Sequence, residues 1–122
     1  GHQLLVLLNE ERKKQNLSQL ESDEKLTQIA EEHSKDMFKR SYFGHLDPEG
    51  KSPLDRAKAE SLSFTSLGEN ISYAPDATTA HIGFMGSKGH RENILLTRYT
   101  KVGIGVVDSG TIGKMFTQLF SN

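Results

Sequence analysis

The sequence contains no cysteine. That absence removes disulfide frameworks, thiolate metal sites and cysteine nucleophiles together, so any metal bound here would be held by imidazole and oxygen. It does not fix a compartment, because exported bacterial proteins can manage without disulfides. Also lacking is an excess of one charge: 15 Lys and Arg stand against 16 Asp and Glu, a net charge of −1. No nucleic-acid partner is expected, since phosphate-tracking surfaces are strongly basic. No apolar run approaches the ~20 residues of a membrane-spanning helix. The longest, Leu4-Leu5-Val6-Leu7-Leu8, runs directly into Asn9-Glu10-Glu11-Arg12 rather than into a small-residue cleavage site, so it reads as a mature helix and not as the core of a signal peptide. Gly1 and His2 read as residues left by expression, which leaves room for an upstream signal or a further domain.

What is present suits one modest core. With 122 residues and 34% hydrophobic side chains, the expectation is one domain over residues 1–122. Leu4, Leu5, Leu7 and Leu8 give a first helix an apolar face before a charged stretch to Lys14, and Asn16 closes it with tolerance for a left-handed backbone. Leu17 and Leu20 anchor a connector, and Ser22 or Asp23 can cap the next helix. From Glu24 to about Arg40, Leu26, Ile29, Ala30, His33 and Met37 follow i, i+3, i+4 spacing, which makes His33 a packing or capping residue within a core stripe.

Residues 41–50 carry aromatics, glycines and a proline with no helical period, an ordered loop. Ser52-Pro53 then starts a short helix through Leu54, Ala57 and Ala59. Residues 68–73 read as a turn entering a short extended segment, with Glu69 at the hinge. Asp76 can cap a helix through Ala80, Ile82, Phe84 and Met85, and Ser87-Lys88-Gly89 breaks it, leaving His90 near the start of another. Val102, Ile104 and Val106 alternate with Gly103 and Gly105, and Met115, Thr117 and Leu119 alternate with Phe116, Gln118 and Phe120, around an Asp108-Ser109-Gly110 turn. That is a closing hairpin whose glycine pair could admit a close-packed helix or loop. Helices first and confident strands last imply an α+β fold with a mainly antiparallel sheet packed by helices.

His45, Glu69 and His90 sit in Gly-flanked, non-periodic positions. Two neutral imidazoles can bind a divalent metal such as zinc, with a carboxylate as third ligand or as base for a bound water. Without metal, a His and Glu pair can do general acid-base work near neutral pH. Structural readings stand beside these: His45 can lock its loop through Asp47 or a backbone carbonyl, Glu69 can accept backbone N–H groups in a tight turn, and His90 can cap its helix.

Three stretches carry a resemblance. Gly44-His45-Leu46-Asp47-Pro48 looks like an H-x-D-P loop, Gly68-Glu69-Asn70-Ile71 like a G-E-N-I/L signature, and Ser87-Lys88-Gly89-His90-Arg91-Glu92-Asn93-Ile94-Leu95 like a bacterial S-P-G-H-R-x-N-I-L stretch. Leu8-Asn9 with Arg12, the Val102–Val106 strand and Thr117-Gln118-Leu119-Phe120 agree further and in order. The chain thus resembles the CAP, or SCP-like, superfamily of cysteine-rich secretory proteins, antigen-type venom allergens and pathogenesis-related proteins. The resemblance implies an α-β-α sandwich with a central cleft, in which His45, Glu69 and His90 match three of four cleft residues, all three candidates for catalysis. The fourth, a glutamate in the helix before the second histidine, has no counterpart in His81-Ile82-Gly83-Phe84-Met85-Gly86-Ser87.

The same resemblance implies that His45 and His90 could hold a divalent ion completed by water. The first expectation is an exported bacterial module, extracellular or cell-wall associated, whose cleft binds a divalent cation and a small-molecule, lipid or cell-envelope ligand. The alternatives are a metal-dependent hydrolase with Glu69 as base, and a structural or protein-interaction domain.

Overall fold

The computed structural model describes residues 2–110 and 113–122; Gly1, read above as a residue of expression, lies outside them. In chain order the elements are α1 (His2–Lys14), β1 (Glu21–Ser22), α2 (Glu24–Lys39), α3 (Pro53–Ala59), β2 (Leu67–Ala74), α4 (Ala77–Gly86), α5 (Lys88–Leu95), β3 (Lys101–Asp108) and β4 (Lys114–Ser121). The caps are those the sequence offers. Asp23 accepts from the Leu26 N–H, Ser52 and Asp55 form a reciprocal capping box with Pro53 in the first turn, and Asp76 accepts from the Thr79 N–H. Asn16 has a φ of 59°, the left-handed geometry that ends α1.

The four strands lie in the order β1-β3-β4-β2. β3 and β2 both run antiparallel to β4, and the two-residue β1 is parallel to β3, so the sheet is mixed and mainly antiparallel, as expected. Helices cover both faces, which is why β4 is buried along nearly its whole length rather than at alternate residues. On one face Leu26, Ile29 and Ala30 of α2 pack on Leu119, and Met37 packs on Ile71 and Met115. On the other, Leu4 and Leu8 of α1, Phe84 of α4 and Ile94 of α5 meet Val102, Ile104, Phe116 and Phe120. The result is an α-β-α sandwich.

Gly103 and Gly105 fulfil the expectation of close approach. A Cβ on Gly103 would collide with the backbone of Leu26 and Thr27, and one on Gly105 with that of Ala30 and Glu31, so α2 lies directly on bare strand backbone. Two other readings change. Glu21, read as connector, and Ser22, read as one of two candidate caps, form β1, because the N–H groups of Glu21 and Asp23 donate to Thr100 O and Val102 O. Glu69 is not at a turn hinge but inside β2, opposite Leu119.

A buried arginine ties the two halves of this frame. Arg12 is 1% exposed and donates from Nε to Ser18 O at 2.7 Å and from its terminal nitrogens to Ile94 O at 2.9 Å, Leu96 O at 3.0 Å and Tyr99 O at 3.4 Å. Most of these carbonyls lie at or just after the end of α5, where the helix dipole is negative, so a cation is accommodated there without a carboxylate. Asn9 pairs with both the N–H and the carbonyl of Leu20. The Asn9 and Arg12 positions of α1 thus fix the connector before β1 and the segment after α5.

Candidate functional site

The site forms around the edge strand β2. Side chains on a strand alternate between faces, so Glu69 projects to the α2 side and Asn70 to the α4/α5 side. Glu69 reaches the loop that follows α2: its Oε1 accepts from His45 Nδ1 at 2.8 Å. Arg56 of α3 donates to Glu69 Oε2 at 2.9 Å and, from its other terminal nitrogen, to Oε1 at 3.4 Å and to the His45 carbonyl at 2.6 Å. One guanidinium therefore fixes both the carboxylate and the loop that carries the histidine.

Burial separates the partners. The Glu69 side chain is 1% exposed, whereas that of His45 is 50% exposed. Burial pushes the Glu69 carboxyl up, but hydrogen bonds from His45 and Arg56, and then the Arg56 charge and nearby His33, outweigh it and hold the group below the ordinary carboxylate range. An ionised carboxylate only accepts, so Nδ1 of His45 carries the proton and donates it. In a neutral ring the free lone pair is then on Nε2, and the side chain that carries it is half exposed.

His33 belongs to this cluster, which its place in the core stripe of α2 did not reveal. Its Nε2 donates to Gly44 O at 2.9 Å, next to His45, and lies 3.8 Å from Glu69 Oε1, too far for a hydrogen bond. Burial pulls its pKa down more strongly than the charge of Glu69 raises it, so His33 is neutral and the contact is not an ion pair. Arg56 was likewise missed. A basic residue in the last turn of a short capped helix has nothing in its spacing to mark it, and only the packing of α3 beside β2 brings it to Glu69.

On the other side of β2, Asn70 donates to the His90 carbonyl at 3.1 Å and to Gln118 Oε1 at 3.0 Å. Asn93 of α5 donates to Asn70 Oδ1 at 2.9 Å and to Glu69 O at 3.3 Å. Gly68 leaves room for this, since a Cβ there would run into Tyr99 Oη and press on Asn93 Oδ1. The G-E-N and the H-R-x-N stretches are thus two halves of one polar joint. The His90 ring packs edge-on against Phe84 at a centroid distance of 5.3 Å. Burial lowers its pKa, and the charge of His45 is a second, smaller cause.

The structural readings of these residues resolve in the same geometry. Asp47 does not hold His45; it accepts from the backbone N–H groups of Glu49 and Lys51 and so closes its own loop. Ser87, not His90, is the N-cap of α5, and it makes no side-chain cap bond. Among the described residues no group of three or more His, Asp or Glu side chains converges as a metal-ligand set. Glu69, with both oxygens engaged, stands behind His45 rather than beside it. His81, in the helix where a fourth acid was sought, instead pairs with Glu11 of α1 at 2.9 Å.

The model of the CAP family, described as the cysteine-rich secretory protein family, matches residues 5–120. The chain belongs to this family. It does so without a single cysteine, so no disulfide within these residues holds the fold. The CAP chain is 39% identical over 118 residues to protein YkwD of Bacillus subtilis (strain 168), an alignment covering 96% of this chain and 45% of that protein. Among solved structures it resembles an extracellular protein containing an SCP domain from Bacillus anthracis, with a TM-score of 0.92, 35% identity, and coverage of 99% of this chain and 39% of that one. It also resembles an outer surface protein of Borrelia burgdorferi, with a TM-score of 0.91, 24% identity, and coverage of 98% and 89%; that likeness is one of fold. The chain spans less than half the length of the two Bacillus proteins.

Proposed function

We propose that this CAP chain is an exported bacterial module whose cleft binds a divalent cation of the zinc class through His45 and His90, with water completing the coordination. The observation that carries the proposal is the 2.8 Å bond from His45 Nδ1 to buried, ionised Glu69. A carboxylate behind a histidine fixes its tautomer and raises the basicity of the outward nitrogen, the usual arrangement around a metal-ligating imidazole. His90 suits the same role, because burial keeps it neutral and only neutral imidazole is a ligand. When bound, such an ion would polarise an oxygen ligand in the cleft. Glu69 and Arg56 orient His45, and the joint of Asn70, Asn93 and Gln118 sets His90.

The hydrolase reading finds less support. A general base needs a free lone pair within reach of water, and Glu69 has its oxygens engaged and is held toward ionisation rather than near neutral pH. Export is argued from the Bacillus anthracis relative, which is described as an extracellular protein. A small-molecule, lipid or cell-envelope ligand would approach from the exposed face of His45. Nitrogen-15 NMR of the histidines tests the proposal. Apo protein should show His45 protonated at Nδ1, and zinc should shift Nε2 of His45 and a ring nitrogen of His90. Zinc-induced shifts confined to other histidines would overturn it.

A further inference from the structure

The edge strand β2 is covered at Glu69, whose carbonyl accepts from Asn93 of α5, and its rim is without a backbone partner beyond that point among the described residues. Its side of the ladder follows from the strands beside it. Val102 O accepts from Asp23 on the β1 side, so Val102 faces away from β4 and its neighbours Lys101 and Gly103 face toward β4. Their partners Ser121 and Leu119 therefore point to β3, which leaves Phe120, Gln118 and Phe116 bonded to Gly68, Asn70 and Ser72 of β2. Glu69, Ile71 and Tyr73 must then present their main-chain N–H and C=O groups outward. The Asn93 bond to Glu69 O agrees, since that carbonyl could not otherwise be reached from α5. Beyond Glu69, no partner for the backbone of Ile71 or Tyr73 is found among the described residues.

Natural edge strands are guarded by lysine, proline, bulges or cover. The strand Leu-Gly-Glu-Asn-Ile-Ser-Tyr-Ala has one charged residue, Glu69, held by His45 and Arg56 in its first half; past it there is no charge or proline, and the register with β4 runs unbroken from Leu67 opposite Ser121 to Ala74 opposite Lys114. Beside its open end lies an apolar groove of about 460 Å³ formed by Met37, Phe38, Tyr42, Phe43, Tyr73 and Met115. Phe43 is 57% and Tyr73 45% exposed, although both are large and apolar enough to be buried elsewhere.

The geometry points to an extended peptide as the occupant, added to the sheet at Ile71 and Tyr73 with alternate side chains in the aromatic groove. A groove alone would accept any apolar group. Two outward N–H groups and two outward carbonyls at strand spacing match the donors and acceptors of another main chain, and the alternation that bonds Ile71 and Tyr73 also puts every second side chain of the added strand on the α2 side. The proposal is independent of the cation site and is tested with EDTA present.

The probe is an acetylated, amidated hexapeptide alternating valine and threonine around a central phenylalanine, and the readout is amide hydrogen exchange of the intact chain. At about ten times the Kd of the peptide, the Ile71 and Tyr73 amides should exchange about tenfold more slowly, while amides bonded to β4 do not change. The same peptide N-methylated at alternate residues should give no protection. Tyr73→Pro, which removes an outward N–H, should weaken binding beyond the effect of Tyr73→Ala; if the proline variant fails to fold, the N-methylated peptide decides. Equal binding of the N-methylated peptide would overturn the proposal in favour of a side-chain groove only. Protection of the same amides without peptide, rising with protein concentration, would assign the edge to a second copy and also overturn it, as would no protection at all.

Discussion

Asn93 Nδ2 meets Asn70 Oδ1 at 2.9 Å, joining the first half of β2 to the middle of α5. Because Asn70 is fully buried and its own amide serves His90 O and Gln118 Oε1, the joint has few spare groups, and Gln118 Nε2 is already without a partner. Asn93→Ala should therefore destabilise by about 1–3 kcal/mol, the cost of leaving a buried acceptor unpaired. Urea unfolding at constant m-value measures it. A change within experimental error would mean that Asn70 finds another donor and that the motif does not hold α5.

Acid should weaken the fold in two stages. His33 and His90 have folded pKa values below their ordinary value of about 6.5, so between the two values the unfolded chain binds protons that the folded chain refuses. Stability conferred by their neutral burial is present above that pH and is lost as pH falls through it. Glu69 is depressed too, so its share is present above about pH 4.3 and is lost as pH falls below that. Thermal unfolding from pH 7.5 down to about 3.5 should show Tm falling below about pH 6.5 and again below about 4.3, with the first fall reduced in His33→Gln. A flat profile across the upper part of that range would contradict the assignment.

Gly103→Ala should cost about 3 kcal/mol or more, at or beyond the upper end of ordinary overpacking, because the added methyl meets α2 backbone rather than a side chain that can rotate away. Gly89→Ala, where a Cβ would meet nothing within van der Waals range, is the control and should be nearly neutral. Equal effects at the two positions would refute the close packing of α2 on β3.

Arg12→Met preserves most of the buried volume but leaves the carbonyls of Ser18, Ile94, Leu96 and Tyr99 without their donor. A loss on the order of 3 kcal/mol is expected, from several hydrogen bonds to a charged group removed at once. Differential scanning calorimetry reads it. A stable variant would show that water enters and replaces the guanidinium.

Much of this was legible in the chain. Helices α2, α3 and α4 are announced by Asp23, Ser52-Pro53 and Asp76, and the Gly103 and Gly105 pair announces a close approach, because caps and bare backbone are local properties. The positions of His45, Glu69 and His90 as candidates came from motif resemblance, not from periodicity. Illegible were His33, whose stripe position fits any core histidine, and Arg56, whose role exists only once α3 lies beside β2. β1 was invisible for a similar reason: two residues become a strand only through the N–H groups that Thr100 and Val102 accept.

The most direct test of the cation cleft is a calorimetric titration of metal-stripped protein with zinc at neutral pH, run beside His45→Ala/His90→Ala and Glu69→Gln. Binding by the unaltered chain is expected, with loss in the double variant and a weakening of roughly 10–100-fold in Glu69→Gln as His45 loses its orienting carboxylate. Binding retained in the double variant, or none in the unaltered chain, would contradict a cation held by His45 and His90.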